Sequence, residues 1–186
     1  ILTTSIAALH VLQEQGIKPD ITAGLSLGEY SALVCSGVLD FGTAVQLVRK
    51  RGQYMQEAVP IGKGKMLAIL GLEDRIVEEI CLKASGKGIV EPANYNYPGQ
   101  VVIGGEVGAV DLAGEIAKEE GAKRVIPLLV SAPFHTEMLK PAAENLSQDL
   151  NNIKINAGRF PVVSNVTGKI YKDDADIKNY LLKQVY

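Results

Sequence analysis

Histidine and cysteine are both scarce, with two of each among 186 residues. Cys35 and Cys81 stand far apart in apolar, helix-like surroundings. They lack the close spacing of a metal or redox pair and read as buried thiols of a reducing cytoplasm. His10 and His135 form no His-Glu-x-x-His pattern, so no metal is expected. Long apolar runs are missing too. Nothing approaches the roughly 20 residues of a membrane span, and no secretory signal opens the chain. Neither sign of charge is in excess: a formal net charge of −2 and a pI near 5.8 give no electrostatic case for nucleic acid or an anionic membrane as partner. Gly62-Lys63-Gly64 lacks the Gly-x-x-x-x-Gly-Lys-Ser/Thr pattern of a phosphate loop and reads as a hinge. What remains is a globular composition, 47% hydrophobic and 22% charged, sized for one core or one core plus a small subdomain.

Against that background Gly24-Leu25-Ser26-Leu27-Gly28 stands out. A short apolar segment, 21–24, precedes it as a strand, and a helix-like stretch ending at Gly37 follows. This context makes Gly-x-Ser-x-Gly a nucleophile elbow, whose tight turn strains the central residue and lifts its hydroxyl above the sheet. Both flanking glycines are expected to be required by close neighbours. The backbone N–H of Leu27 and the positive end of the following helix then point at whatever sits over Ser26. The bland reading is a glycine-rich turn with an incidental serine.

Helical spacing of Leu2, Ile6, Leu9 and Leu12 predicts a first helix stopped by Gly16, with His10 near its surface. Asp40 reads as the cap of a longer helix running to Ala58. Ala44, Val48, Met55 and Ala58 form its apolar stripe, and Arg51 occupies the remaining position. Gln46, Arg49, Lys50, Gln53, Gln56 and Glu57 lie opposite. An inward guanidinium needs an anion. Two candidates stand open: an internal carboxylate such as Glu29, or a substrate carboxylate held bidentately.

The pattern then changes to strand 65–70, helix 73–84, strands 89–93 and 100–103, helix 110–120 and strand 124–127. This βαββαβ order is that of a ferredoxin-like unit inserted into a larger domain. Residues 94–99 carry the chemistry of the turn between its middle strands. The chain returns through strand 128–131, a helix over 141–150 and a strand at 162–165. His135 follows the first of these at the strand end where open α/β sheets place their sites. It is the histidine placed to serve Ser26 as base. No acid suggests itself as third member, and a backbone carbonyl from the Ser164-Asn165-Val166 loop is a candidate to orient the imidazole.

With these residues in place the chain resembles the malonyl-CoA:acyl carrier protein transacylases and the related acyltransferase domains of fatty acid and polyketide synthases. The matching segments are Gly-Leu-Ser-Leu-Gly-Glu-Tyr-Ser-Ala-Leu (24–33), Arg-Gly-Gln-Tyr-Met-Gln (51–56), Asn-Tyr-Asn-Tyr-Pro-Gly-Gln (94–100), Ser-Ala-Pro-Phe-His (131–135) and Ser-Asn-Val-Thr-Gly (164–168). The resemblance implies an α/β-hydrolase-like core, 1–61 with 128–186, and an inserted ferredoxin-like subdomain, 62–127. It implies Ser26 as nucleophile, His135 as base, Arg51 on the malonyl carboxylate, the Asn165 carbonyl orienting the histidine, and the Leu27 N–H as an oxyanion donor. Asn94 and Gln100 resemble residues lining the acyl and pantetheine channel. Phe134 before the histidine and Leu27 after the serine fit malonyl over methylmalonyl. No cofactor is implied; the partners are malonyl-CoA and phosphopantetheinylated acyl carrier protein.

Two departures accompany the resemblance. Leu25 stands where the family usually has His, and the family begins about 80 residues earlier, with a Gly-Gln-Gly loop that completes the oxyanion hole. The expected activity is ping-pong acyl transfer through a Ser26 acyl-enzyme. The rivals are a serine esterase or lipase, which needs no inward arginine, and an impaired fragment that binds carrier protein without turnover.

Overall fold

The computed structural model describes residues 1–130 and 132–186, which divide into two units: Ile1–Gln53 with Glu144–Gln184, and Tyr54–Ala143 with Val185–Tyr186. In chain order the elements are α1 (Leu2–Glu14), α2 (Leu27–Ser36), α3 (Phe41–Ala58), β1 (Gly64–Leu70), α4 (Asp74–Ala84), β2 (Val90–Tyr97), β3 (Gln100–Glu106), α5 (Val107–Glu119), β4 (Arg124–Pro127), α6 (Lys140–Asn151) and α7 (Asp174–Lys183).

In the first unit α1 buries Leu2 and Ile6 and leaves His10 exposed. Helix α2 ends at Gly37, whose left-handed φ of 87° lets the Val38 amide return to the Leu33 carbonyl at 2.9 Å. Arg159 serves the same end, donating to the Cys35 carbonyl at 2.9 Å. Asp40 caps α3 as expected, its Oδ1 accepting from the Thr43 N–H at 2.8 Å. The helix buries Ala44, Leu47, Arg51 and Met55 and exposes Gln46, Arg49, Lys50, Gln53, Gln56 and Glu57.

The expected strands 21–24 and 162–165 are not continuous strands. They meet in one parallel bridge, Thr22 with Val162, and Val163 bridges Ile170 in the antiparallel sense. A lone parallel pair of short segments is marginal without further partners to extend the ladder. Residues 128–130 are likewise outside any strand. Leu128 donates one more hydrogen bond to Met66, at 3.0 Å, and Leu129 is then fully exposed. Ser131, the end of that expected strand, lies outside the described residues.

The second unit contains a four-stranded sheet, antiparallel throughout, in the order β2-β3-β1-β4. Side chains alternate across β1 with the pleat. Leu67 and Ile69 join Val77 and Ile80 of α4 and Ala113 and Ala117 of α5 in one core. Met66 and Ala68 face the other way with Val102, where Leu128 and Phe134 pack on them. Both β2 and β3 run longer than the sequence predicts. The segment 94–97 is strand rather than turn, because Asn94 and Tyr95 pair with Val102 and Val101 across a bulge. The turn is Pro98-Gly99 alone, with Gly99 at φ 88°. Nor is Gly62-Lys63-Gly64 a simple hinge. Gly64 opens β1, and a Cβ there would lie 2.3 Å from Pro133 Cδ. No helix among the described residues is long and apolar enough to cross a membrane.

Candidate active site

Ser26 sits between the Thr22 bridge and the first turn of α2, with φ 51° and ψ −109°. That backbone region is strained for any residue with a Cβ, and such strain persists where surrounding structure imposes it. Gly24 is part of the cause: a Cβ there would fall 2.1 Å from the Gly28 carbonyl carbon and oxygen. Gly28 differs from expectation, since a Cβ at that position meets nothing within 4 Å among the described residues. The turn needs only its first glycine for space. Asn165 holds the elbow from outside, its Oδ1 accepting the Ser26 N–H at 2.5 Å. Leu27 opens α2, so its N–H is among those the helix cannot satisfy internally.

Arg51 comes to the same place from the buried stripe of α3. Its Nη2 donates to Ser26 Oγ at 2.9 Å and to Gln184 Oε1 at 2.9 Å. Its Nε is buried without an acceptor among the described residues, and its Cζ lies 5.8 Å from the Tyr30 ring centroid. Burial pulls the Arg51 pKa down from the ordinary guanidinium value, while Tyr30 and Glu29 pull it up. Burial likewise pushes the Tyr30 phenol up to about 12 against the opposing pull of Arg51. Among the described residues no carboxylate lies within ion-pairing distance of Arg51. The internal partner Glu29, weighed from the sequence, is present at one remove: Gln184 Nε2 donates to Glu29 Oε2 at 2.6 Å and to the Ser26 carbonyl at 3.2 Å. The other Glu29 oxygen accepts from the Asn165 N–H at 2.7 Å and the Tyr171 hydroxyl at 2.6 Å.

Ser26, Leu27, Arg51 and Asn165 thus belong to the first unit, and the structure brings Ser26, Arg51 and Asn165 into hydrogen-bond contact. His135, Phe134, Asn94 and Gln100 belong to the second. Half-buried Phe134 packs on the Met66–Ala68–Val102 face of the sheet. Asn94 lies in β2 and Gln100 begins β3, where it pairs with Leu70. His135 lies within a tight turn closed by the Thr136 hydroxyl, which donates to the Pro133 carbonyl at 2.7 Å, and its φ is 61°. Among the described residues, Ser26 and His135 are the two non-glycine residues with positive φ. Positive φ outside glycine thus coincides, among the described residues, with the two residues that the sequence marks as nucleophile and base.

Comparison with known proteins decides the family. The acyl transferase domain model matches residues 1–177. The chain belongs to the acyl transferase domain family. It is 52% identical to a malonyl CoA-acyl carrier protein transacylase of Bacillus subtilis and 50% identical to one of Escherichia coli. All of this chain is covered in both cases, but it spans only 59% and 60% of their lengths. Among solved structures, the malonyl CoA-acyl carrier protein transacylase of Clostridium perfringens superposes with a TM-score of 0.96 at 52% identity, covering 100% of this chain and 58% of that one. A malonyl transacylase solved in complex with a type II polyketide synthase acyl carrier protein gives 0.97 at 48% identity, covering 100% and 60%. The fold is accordingly that of the acyl transferases, mixed α/β with a small antiparallel sheet.

Two residues that sequence reasoning missed complete the elbow. Gln184 caps the end of α7 and is 4% exposed. Tyr171 reaches Glu29 from the segment that follows the Val163 bridge. Nothing in the local pattern around Gln184 separates it from a surface glutamine ending an amphipathic helix. A tyrosine in a polar loop gives an equally weak signal.

Proposed function

We propose that this acyl transferase takes a malonyl group from malonyl-CoA onto Ser26 and passes it to the phosphopantetheine thiol of an acyl carrier protein, in the cytoplasm, for fatty acid or polyketide synthesis. The observation that carries the reading is the 2.9 Å contact between Arg51 Nη2 and Ser26 Oγ. A malonyl thioester holds its free carboxylate one methylene from the reacting carbonyl. A buried guanidinium touching the nucleophile, with an unused Nε, is where that carboxylate belongs. A serine esterase needs no such cation.

In the first half-reaction His135 takes the Ser26 proton as Oγ attacks the thioester carbonyl. The Leu27 N–H stabilises the oxyanion. The C–S bond then breaks, and the departing CoA sulfur takes the proton back from the imidazolium. The carrier-protein thiol reverses these steps on the Ser26 ester. The Asn165 carbonyl orients His135, and Asn94, Gln100 and Phe134 line the acyl and pantetheine path. The architecture we assign is an α/β-hydrolase-like core, residues 1–61 and 128–186, with a ferredoxin-like subdomain over 62–127. The β2-β3-β1-β4 order supports that subdomain. Intact-protein mass spectrometry after mixing with malonyl-CoA tests the proposal: a malonyl adduct is expected on Ser26 and is lost in Ser26→Ala. Ready cleavage of simple esters with no malonyl adduct would instead favour the esterase.

A further inference from the structure

We infer that Glu29 is a positioning residue that tunes the site for substrates bearing a free carboxylate, by holding its own charge one glutamine away from Arg51. The inference rests on the reading of Ser26 and Arg51 given above. Glu29 is fully buried in the first turn of α2. Its surroundings supply donors: the Asn165 amide and Tyr171 hydroxyl to Oε1, and the Gln184 amide nitrogen to Oε2. That contact forces one orientation on Gln184. Nε2 must meet the carboxylate, and Oε1 must then meet the guanidinium, as it does at 2.9 Å. The flipped amide would set carbonyl against carboxylate and NH2 against guanidinium, leaving both ends unpaired.

The spacing has a chemical consequence. A carboxylate lying directly on Arg51 would complete an ion pair within the protein and occupy the donors that an incoming carboxylate requires. With the glutamine interposed, Nη2 hydrogen-bonds only to the neutral oxygens of Gln184 and Ser26, and Nε stays without an acceptor among the described residues. The nearby charge of Glu29 still offsets part of the cost of burying the cation. The site is thus neutralised at a distance and keeps its demand for an anion at the nucleophile.

The test measures malonyl and acetyl transfer from their CoA thioesters to a phosphopantetheine thiol by the full chain, with melting temperatures alongside. In Glu29→Gln, Oε1 still accepts from Asn165 and Tyr171, but an NH2 group replaces Oε2 and turns the Gln184 amide away from Arg51. The malonyl-to-acetyl ratio of kcat/KM should fall about 10- to 100-fold, the scale of one lost hydrogen bond to a charged group, mostly through the KM for malonyl-CoA. The double variant Glu29→Gln/Gln184→Glu restores the pairing between positions 29 and 184, gives up the donor to the Ser26 carbonyl and puts the carboxylate against Arg51, so its ratio should stay low. That variant also carries the test if Glu29→Gln alone does not fold. An unchanged ratio in Glu29→Gln, an equal loss of both transfers, or a wild-type ratio in the double variant overturns the inference. A wild type with no preference for malonyl overturns the reading of Arg51 itself.

Discussion

Replacing Ser26 by Gly should leave the protein more stable than replacing it by Ala, although both variants lose the proposed nucleophile. Each substitution removes the same hydroxyl and the same 2.9 Å bond from Arg51 Nη2, so those losses cancel in the difference. What differs is Cβ. At φ 51° and ψ −109° an alanine keeps a strain on the order of 1–3 kcal/mol, which glycine relieves. Glycine loses more backbone entropy on folding, about 0.5–1 kcal/mol. The net expectation is a gain of about 1 kcal/mol for Ser26→Gly over Ser26→Ala, or roughly 2–4 °C in Tm for a chain of this length. Urea unfolding of both variants, with equal slopes, measures it directly. If Ser26→Gly is the less stable by the full entropy term, the elbow stores no strain. The positive φ would then be a cheap local choice rather than something imposed by Gly24 and Asn165.

Arg51→Ala should lower malonyl transfer by about two to four orders of magnitude, since truncating one member of a buried charged contact costs roughly 3–5 kcal/mol. Acetyl transfer should hold or rise, and equal losses in a paired assay would make Arg51 merely structural. The elbow glycines should behave unlike each other. Gly24→Ala puts a Cβ 2.1 Å from backbone atoms and should cost several kcal/mol or prevent folding, whereas Gly28→Ala meets open space among the described residues and should stay within about 1 kcal/mol of wild type by denaturant titration. Alkali should also destabilise the fold. Burial raises Tyr30 from 10.0 to about 12 and Cys81 from 9.0 to about 12. The folded state therefore holds protons that the unfolded chain releases: stability is full below pH 9 and falls as pH rises through 12, by on the order of 3 kcal/mol for Tyr30 alone. A flat Tm between pH 9 and 12 would contradict that burial.

The parts of the site that could be read beforehand are those written in a local period or a local steric demand. The 3.6-residue spacing of Ala44, Val48, Arg51 and Met55 singles out one basic residue of three as inward, and α3 does bury Arg51 while Arg49 and Lys50 stay outside. The serine between two glycines marks the elbow, though it cannot say which glycine the packing needs. Gln184 was beyond that kind of reading. It meets the Ser26 carbonyl across 158 residues of sequence, and its importance comes from what stands on either side of its amide, a carboxylate and a guanidinium. A direct ion pair with Glu29 is one of the two partners the sequence leaves open to Arg51, the other being a substrate carboxylate. A direct pair, however, would satisfy the arginine inside the protein, and a satisfied arginine cannot choose among substrates. The separation of those charges by a neutral side chain is a tertiary property with no period, motif or composition to announce it. Under the proposed function it is also the feature that turns a buried cation from a structural cost into a means of recognition.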